Sequence, residues 1–131
     1  MFRIIGTTVH LTRGNMAPLR FRAKNKKVDP NESDTFYTFK KDDVVRLTIM
    51  EVKNYEEVLL QKDVKIETES EYAYITLDAN ETKIGPMTTK ELTYCYEVEL
   101  NPDTPNTQTI IGHDIEGPKN FIIYPESGNK K

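Results

Sequence analysis

The sequence predicts an all-β protein: an immunoglobulin-like antiparallel β-sandwich of about seven or eight strands with one short helical turn near 78–84. Three observations predict it. Apolar residues recur at every second position in several short runs, the period of a strand with one buried face. Turn formers divide these runs at spacings of roughly 8–20 residues, as in layered all-β folds. Only one stretch carries a helix-start pattern. An eight-stranded barrel fits the same alternation and is the alternative architecture. The antibody hallmarks are missing, with no tryptophan and no cysteine pair.

Ile5 to Leu11 alternates loosely, with Ile5, Val9 and Leu11 as one expected face. Arg13-Gly14-Asn15 is a turn signal. Leu19, Phe21 and Ala23 then face one way and Arg20, Arg22 and Lys24 the other, a one-sided strand. Asn25 to Asp34 is polar and reads as a loop. Phe39 to Met50 is a charged turn followed by the strongest strand, in which Val45, Leu47 and Ile49 alternate with Arg46, Thr48 and Met50. Val58 to Ile66 makes another strand, and its broken pattern at Lys62 and Asp63 suggests a bulge or bend there. Tyr72 to Leu77 follows, with Ala73, Ile75 and Leu77 on one face.

Asp78-Ala79-Asn80-Glu81 has capping-box spacing and opens the expected helical turn, which Gly85-Pro86 stops. In Thr93 to Leu100, Tyr94, Tyr96, Val98 and Leu100 share a face opposite Glu97 and Glu99. Asn101 to Asn106 is dense in turn formers. The return strand starts at Thr107 to Ile111, is interrupted from Gly112 to Gly117, and resumes at Lys119 to Tyr124. Residues 1–125 thus read as one domain, and 126–131 as a flexible tail.

With 18 Lys plus Arg against 21 Asp plus Glu, the 131-residue chain has a net charge of -3. An interspersed, mildly acidic surface argues against a general nucleic-acid binder, which needs a basic footprint. The basic run Lys24, Lys26 and Lys27 reads as a solvated loop. The single cysteine, Cys95, allows no intramolecular disulfide and no thiolate zinc cluster. It reads as a small packed side chain. No apolar run approaches a membrane span, and Met1 to Gly6 lacks a secretory pattern. No membrane partner is expected, and the expected location is the cytoplasm or a particle assembled there.

Candidate chemistry is sparse. His10 lies in a strand-like stretch and His113 in a loop, about a hundred residues apart, with no metal partners in evident spacing. Asp42 and Asp43 are adjacent on a turn, so their side chains should point apart. Glu67, Glu69 and Glu71 share a parity, which implies solvent rather than a buried acid–base pair. No calcium loop or glycine-rich nucleotide loop is present. The chain therefore reads as a non-enzyme without cofactor or metal. Of the seven tyrosines, Tyr72, Tyr74, Tyr94 and Tyr96 lie in alternating strands, where core packing is the expected job. Exposed tyrosines would instead suit a carbohydrate- or cell-wall-binding module. Tyr72, Tyr74, Arg20 and Arg22 are the candidate interaction surface.

Leu11-Thr12-Arg13-Gly14-Asn15 leads into Leu19-Arg20-Phe21, and Phe39-Lys40-Lys41-Asp42-Asp43 leads into Leu47-Thr48-Ile49. Both are a basic turn, then Asn or Asp, then an alternating strand. With the Tyr94-Cys95-Tyr96-Glu97-Val98-Glu99-Leu100 strand and the closing hairpin from Thr107 to Tyr124, the chain resembles the N-terminal domain of phage baseplate upper proteins. It also resembles the related small immunoglobulin-like virion proteins of phages and prophages of Gram-positive bacteria. Two positions depart from that pattern. Asp42 stands where glycine is preferred, so the turn there is expected to differ in type, and the glycine before Tyr94 is absent. The resemblance implies a structural tail or baseplate component, in the virion or in the host cytoplasm when expressed from a prophage. Its implied partners are other tail or baseplate proteins and further copies of itself in a homo-oligomer. It supplies no catalytic residues.

Overall fold

The computed structural model describes residues 1–25, 29–115 and 117–126. Among them are nine strands: β1 (Phe2–Ile5), β2 (Thr8–Thr12), β3 (Ala17–Phe21), β4 (Val44–Met50), β5 (Val58–Lys65), β6 (Ala73–Leu77), β7 (Leu92–Leu100), β8 (Gln108–Ile111) and β9 (Lys119–Tyr124). The larger sheet has the order β1-β2-β9-β7-β4-β5 with β8 also on β7, and the smaller sheet is β3-β6. The result is an all-β sandwich of two sheets, not a closed barrel. β8 and β9 are the two halves of the interrupted return strand. β8 lies along Val98 to Leu100, and β9 along Leu92 to Tyr96.

The core is the inward half of each alternating run. Leu19, Phe21, Ala73 and Ile75 of the small sheet meet Val9, Leu47, Ile49, Val98 and Phe121 of the large one. Phe21, Tyr96 and Phe121 carry aromatic contact from sheet to sheet, with centroids 6.5 Å and 5.8 Å apart along the chain of rings. The second face of β4 is covered as well, since Thr48 and Met50 are buried. Tyr96 lies in the core, but its hydroxyl donates to the Thr7 carbonyl at 2.6 Å. Burial pushes its pKa up to about 12. Among the described residues no buried side-chain nitrogen or oxygen lacks a hydrogen-bond partner.

Several expectations are corrected. Ile5 does not share the face of Val9 and Leu11: a two-residue loop at Gly6-Thr7 folds β1 back on β2, and Ile5 is 54% exposed. Gly6 has φ 62°, a conformation glycine adopts without penalty, so the loop splits what looks like one strand. The sandwich is not wholly antiparallel. β2 runs parallel to β9, from Val9 opposite Phe121 to Thr12 opposite Tyr124. Alternation reports which face is buried, not which way a neighbour runs.

The register shift in β5 is not at Lys62 and Asp63 but at Leu59, where Ile49 pairs with Leu60 and Met50 with Val58. Lys62 keeps the parity of Leu60 and Val64. Its stem follows the inner side while its ammonium reaches the Thr76 carbonyl at 2.7 Å and Glu81 at 2.8 Å. The capping box forms, with Glu81 N–H donating to the Asp78 carboxylate at 2.8 Å and Asp78 N–H to Glu81 at 3.0 Å. It opens two overlapping hydrogen-bonded turns, Thr82 N–H on the Asp78 carbonyl and Lys83 N–H on the Asn80 carbonyl, that do not propagate into a helix. Glu126, expected to begin a tail, is held by Arg13 at 2.9 Å, and residues 127–131 lie outside the described residues.

The turn before β4 keeps the form that a glycine would give it. Asp43 N–H bonds the Lys40 carbonyl at 3.0 Å, and Asp42 adopts φ 75°. A left-handed non-glycine residue carries a backbone cost of about 1 kcal/mol, least for Asp and Asn. Asp42→Gly is therefore expected to raise stability by up to about 1 kcal/mol, since the exposed Lys65–Asp42 pair it removes contributes little. Asp42→Val should lower stability, and urea melts of the two variants check both directions. Phe121→Ala, which opens the centre of the sandwich, should cost about 3–5 kcal/mol in the same measurement.

Candidate functional site

β3 and β6 pair in antiparallel register, with Leu19 opposite Ile75, Arg20 opposite Tyr74 and Phe21 opposite Ala73. Inward burial of the apolar residues sends Arg20, Arg22 and Tyr74 to the outer face. Tyr72, just before β6, has the same parity and joins them. The structure thus gathers all four candidate interaction residues on one side of the small sheet. Tyr94 and Tyr96 are buried as expected, but Tyr74 is 58% exposed, so the expected core role fails for it. The two tyrosine pairs lie in different sheets, and β6 turns its tyrosine outward because its alanine and isoleucine occupy the inner positions.

The guanidinium of Arg20 lies 4.4 Å from the Tyr72 ring centroid. That of Arg22 lies 5.3 Å from the same ring and 3.4 Å from the Phe36 centroid. Arg22 Nη1 donates to the Tyr72 hydroxyl at 3.2 Å, and the Tyr72 and Tyr74 centroids are 6.4 Å apart. Cation–π contact of this kind is worth about 0.5–1 kcal/mol at exposed sites. Its larger effect is order: a guanidinium held against a ring loses less freedom when its remaining N–H groups meet a planar anion. Phe36 is the member that sequence reasoning missed, because it stands in a mostly polar connection with no periodicity. It arrives through an isolated bridge between Lys24 and Phe36 that prolongs the β3 edge.

Among the described residues, neither Arg20 nor Arg22 has a carboxylate within ion-pair distance. Two other arginines, one in a loop and one in the large sheet, differ. Arg13 pairs with Glu126 at 2.9 Å, and Arg46 with Asp63 at 2.7 Å and Asp103 at 3.0 Å. Beside the tyrosines runs an open groove of about 580 Å³, lined also by Val64 to Ser70, including the exposed Glu67 and Glu69. The acidic residues are solvent-facing as expected, and they lie in the loop after β5.

A second groove, about 620 Å³, lies at the loop end between Asn25, Tyr37, Asp43 and Asn106. Asp42 and Asp43 do point apart. Asp42 faces Lys65, whereas Asp43 accepts from Lys40 N–H at 2.9 Å, the Tyr37 hydroxyl at 2.7 Å and Asn101 Nδ2 at 3.2 Å. Burial pushes the Asp43 pKa up, but these donors outweigh it and hold the carboxyl below its ordinary value. Burial and the neighbouring Asp43 push Tyr37 up to about 12. Asp43 is a joint between the turn, Tyr37 and the 101–107 loop; its acceptor capacity is used internally.

The histidines are held by separate tyrosines, His10 by Tyr124 and His113 by Tyr55, each at 2.8 Å. Cys95 is buried, and its thiol lies 3.6 Å from the Met50 carbonyl. Of the basic run, Lys24 is exposed and paired with Asp34 at 3.4 Å, while Lys26 and Lys27 lie outside the described residues. Among the described residues, no group of three His, Cys, Asp or Glu side chains converges, and no helix is long and apolar enough to cross a membrane.

Comparison with protein-family models, with curated proteins and with solved structures returned no match.

Asp43→Ala should lower stability by about 1.5–3 kcal/mol at neutral pH, the worth of hydrogen bonds to a charged group. Because the folded-state pKa of Asp43 is depressed, its contribution is complete above the ordinary carboxyl range near pH 4 and is lost as pH falls through the lower folded value. The gap between wild type and variant in urea melts should accordingly close on acidification, not on alkalinisation.

Proposed function

We propose that this protein is a non-enzymatic structural component of a phage or prophage particle, in its tail or baseplate, acting by protein–protein contact. One observation carries the contact part of this reading: Arg20, Arg22, Tyr72 and Tyr74 form a single exposed arginine–aromatic face. Tyrosine and arginine are the side chains enriched among the energetically dominant residues of protein interfaces. The two stacked arginines enter such a contact with part of their conformational freedom already surrendered. The virion setting rests on the likeness to small immunoglobulin-like baseplate proteins. It is supported by the turn at Asp42, which takes the left-handed backbone that a glycine-preferring position implies. Other tail or baseplate proteins and further copies of the chain are its partners, in the virion or, before assembly, in the bacterial cytoplasm.

The test is fractionation of particles from the bacterium that carries the gene. The protein should sediment with tails, and tail proteins should be captured by the wild-type chain about tenfold or more better than by a Tyr74→Ala, Arg20→Ala variant. Recovery only in the soluble fraction, with no tail protein captured, would sink the reading.

A second reading, a carbohydrate- or cell-wall-binding module, draws on the exposure of Tyr74 beside Tyr72. Sugar rings stack on exposed aromatic faces, so a glycan array signal lost in Tyr72→Ala and Tyr74→Ala would favour it over assembly.

A further inference from the structure

We propose that the arginine–aromatic face docks a second copy of this chain, through the acidic loop Glu67–Glu69 of that copy. The inference rests on the assembly role above and names one partner for its face.

Charge complementarity within a single patch points to this partner. Tyr72 and Tyr74 form its middle. On one side stand Arg20 and Arg22, exposed and without a carboxylate partner among the described residues. On the other side, lining the groove beside those tyrosines, stand Glu67 and Glu69, exposed and, among the described residues, without an ion-pair partner. The nearby Lys65 is engaged by Asp42 at 3.4 Å. Arg13, Arg46, Lys62 and Lys119, by contrast, meet carboxylates of the same chain. Arg20 and Arg22, without a carboxylate partner among the described residues, and the acidic Glu67–Glu69 loop thus border the same two tyrosines.

A patch that is positive on one side of its centre and negative on the other is self-complementary under a two-fold axis. Rotation about an axis near Tyr74 places the arginines of each copy over the glutamates of the other. Each contact is then made twice, as an isologous interface requires. The guanidinium edges meet carboxylates, and the exposed Tyr74 rings bury against each other at the axis. Across such an interface opposite charges steer encounter and fix register, and like charges in the wrong register repel.

Solution mass by light scattering and sedimentation, with the full chain, tests this. The wild type should dimerise, and raising salt from about 50 mM to about 500 mM, which shortens the screening length severalfold, should weaken the dimer. Arg20→Glu with Arg22→Glu, and separately Glu67→Lys with Glu69→Lys, should each raise the dimer Kd by about tenfold or more. The milder pair Arg20→Gln with Arg22→Gln gives the same direction if the reversal disturbs folding, which circular dichroism reports.

The deciding measurement is the chain carrying both reversals. Its charges are swapped but again complementary, and it should regain the dimer. A monomer at every salt concentration, a dimer indifferent to either reversal, or a doubly reversed chain that stays monomeric would overturn the proposal. A monomer that still captures tail proteins through Arg20 would overturn the self-contact alone. A monomer that captures none would remove the assembly role with it.

Discussion

Two strands cannot stand alone in water, and that constraint governs the small sheet. β3 and β6 persist because Leu19, Phe21, Ala73 and Ile75 are fully committed to the large sheet. Full burial of Leu19, Phe21 and Ile75 is worth about 1.5–3 kcal/mol each, and the Ala73 methyl less. A one-residue slip of either strand would drive Arg20 or Tyr74 into the core, so the register is strongly fixed. The outer face inherits its order from this. Arg20 and Tyr74 are opposed because Leu19 and Ile75 are, and the stacking on Tyr72 follows from a position that the interior has already set.

Polar groups then fasten the ends of the sandwich. Asp43 gathers three donors from two connections, and Asn101 Oδ1 also accepts from Val44 N–H at 3.0 Å. At the other end, Arg13 reaches both Glu126 and the Gly85 carbonyl. Gly85 itself has φ 71° and lies so close to the Tyr94 hydroxyl that a Cβ would collide with it. These are local fixings on loops, each satisfying side chains that would otherwise be half-buried without partners.

Much of this was legible in the sequence where alternation was strict. Leu19/Arg20/Phe21, Val45/Arg46/Leu47 and Tyr96/Glu97/Val98 have the sidedness their parity implies. The interruption of the return strand from Gly112 was legible because glycines bracket it. What escaped had no periodic signature. The Gly6 turn is short enough to hide within a run, Lys62 is a long side chain at an inward parity, and the β2–β9 pairing joins distant segments. The candidate face was half legible. Parity put Arg20 and Arg22 outside, but only the pairing of β3 with β6 brings tyrosines to them, and Phe36 arrives from a stretch without pattern.

The parallel pairing of β2 with β9 has a consequence for how the chain folds. Its partners are separated by more than a hundred positions, from Val9 to Phe121. β9 is also the neighbour on which β7 depends on that side. The larger sheet can therefore close only once nearly all of the described chain is available, and its loop-closure entropy must be met before that pairing returns any stabilisation. Until then, β1 and β2 form a hairpin with no third strand, carrying Val9 and Leu11 uncovered. Pairing of β2 with β9 is thus the step of this sheet that carries the largest loop-closure cost.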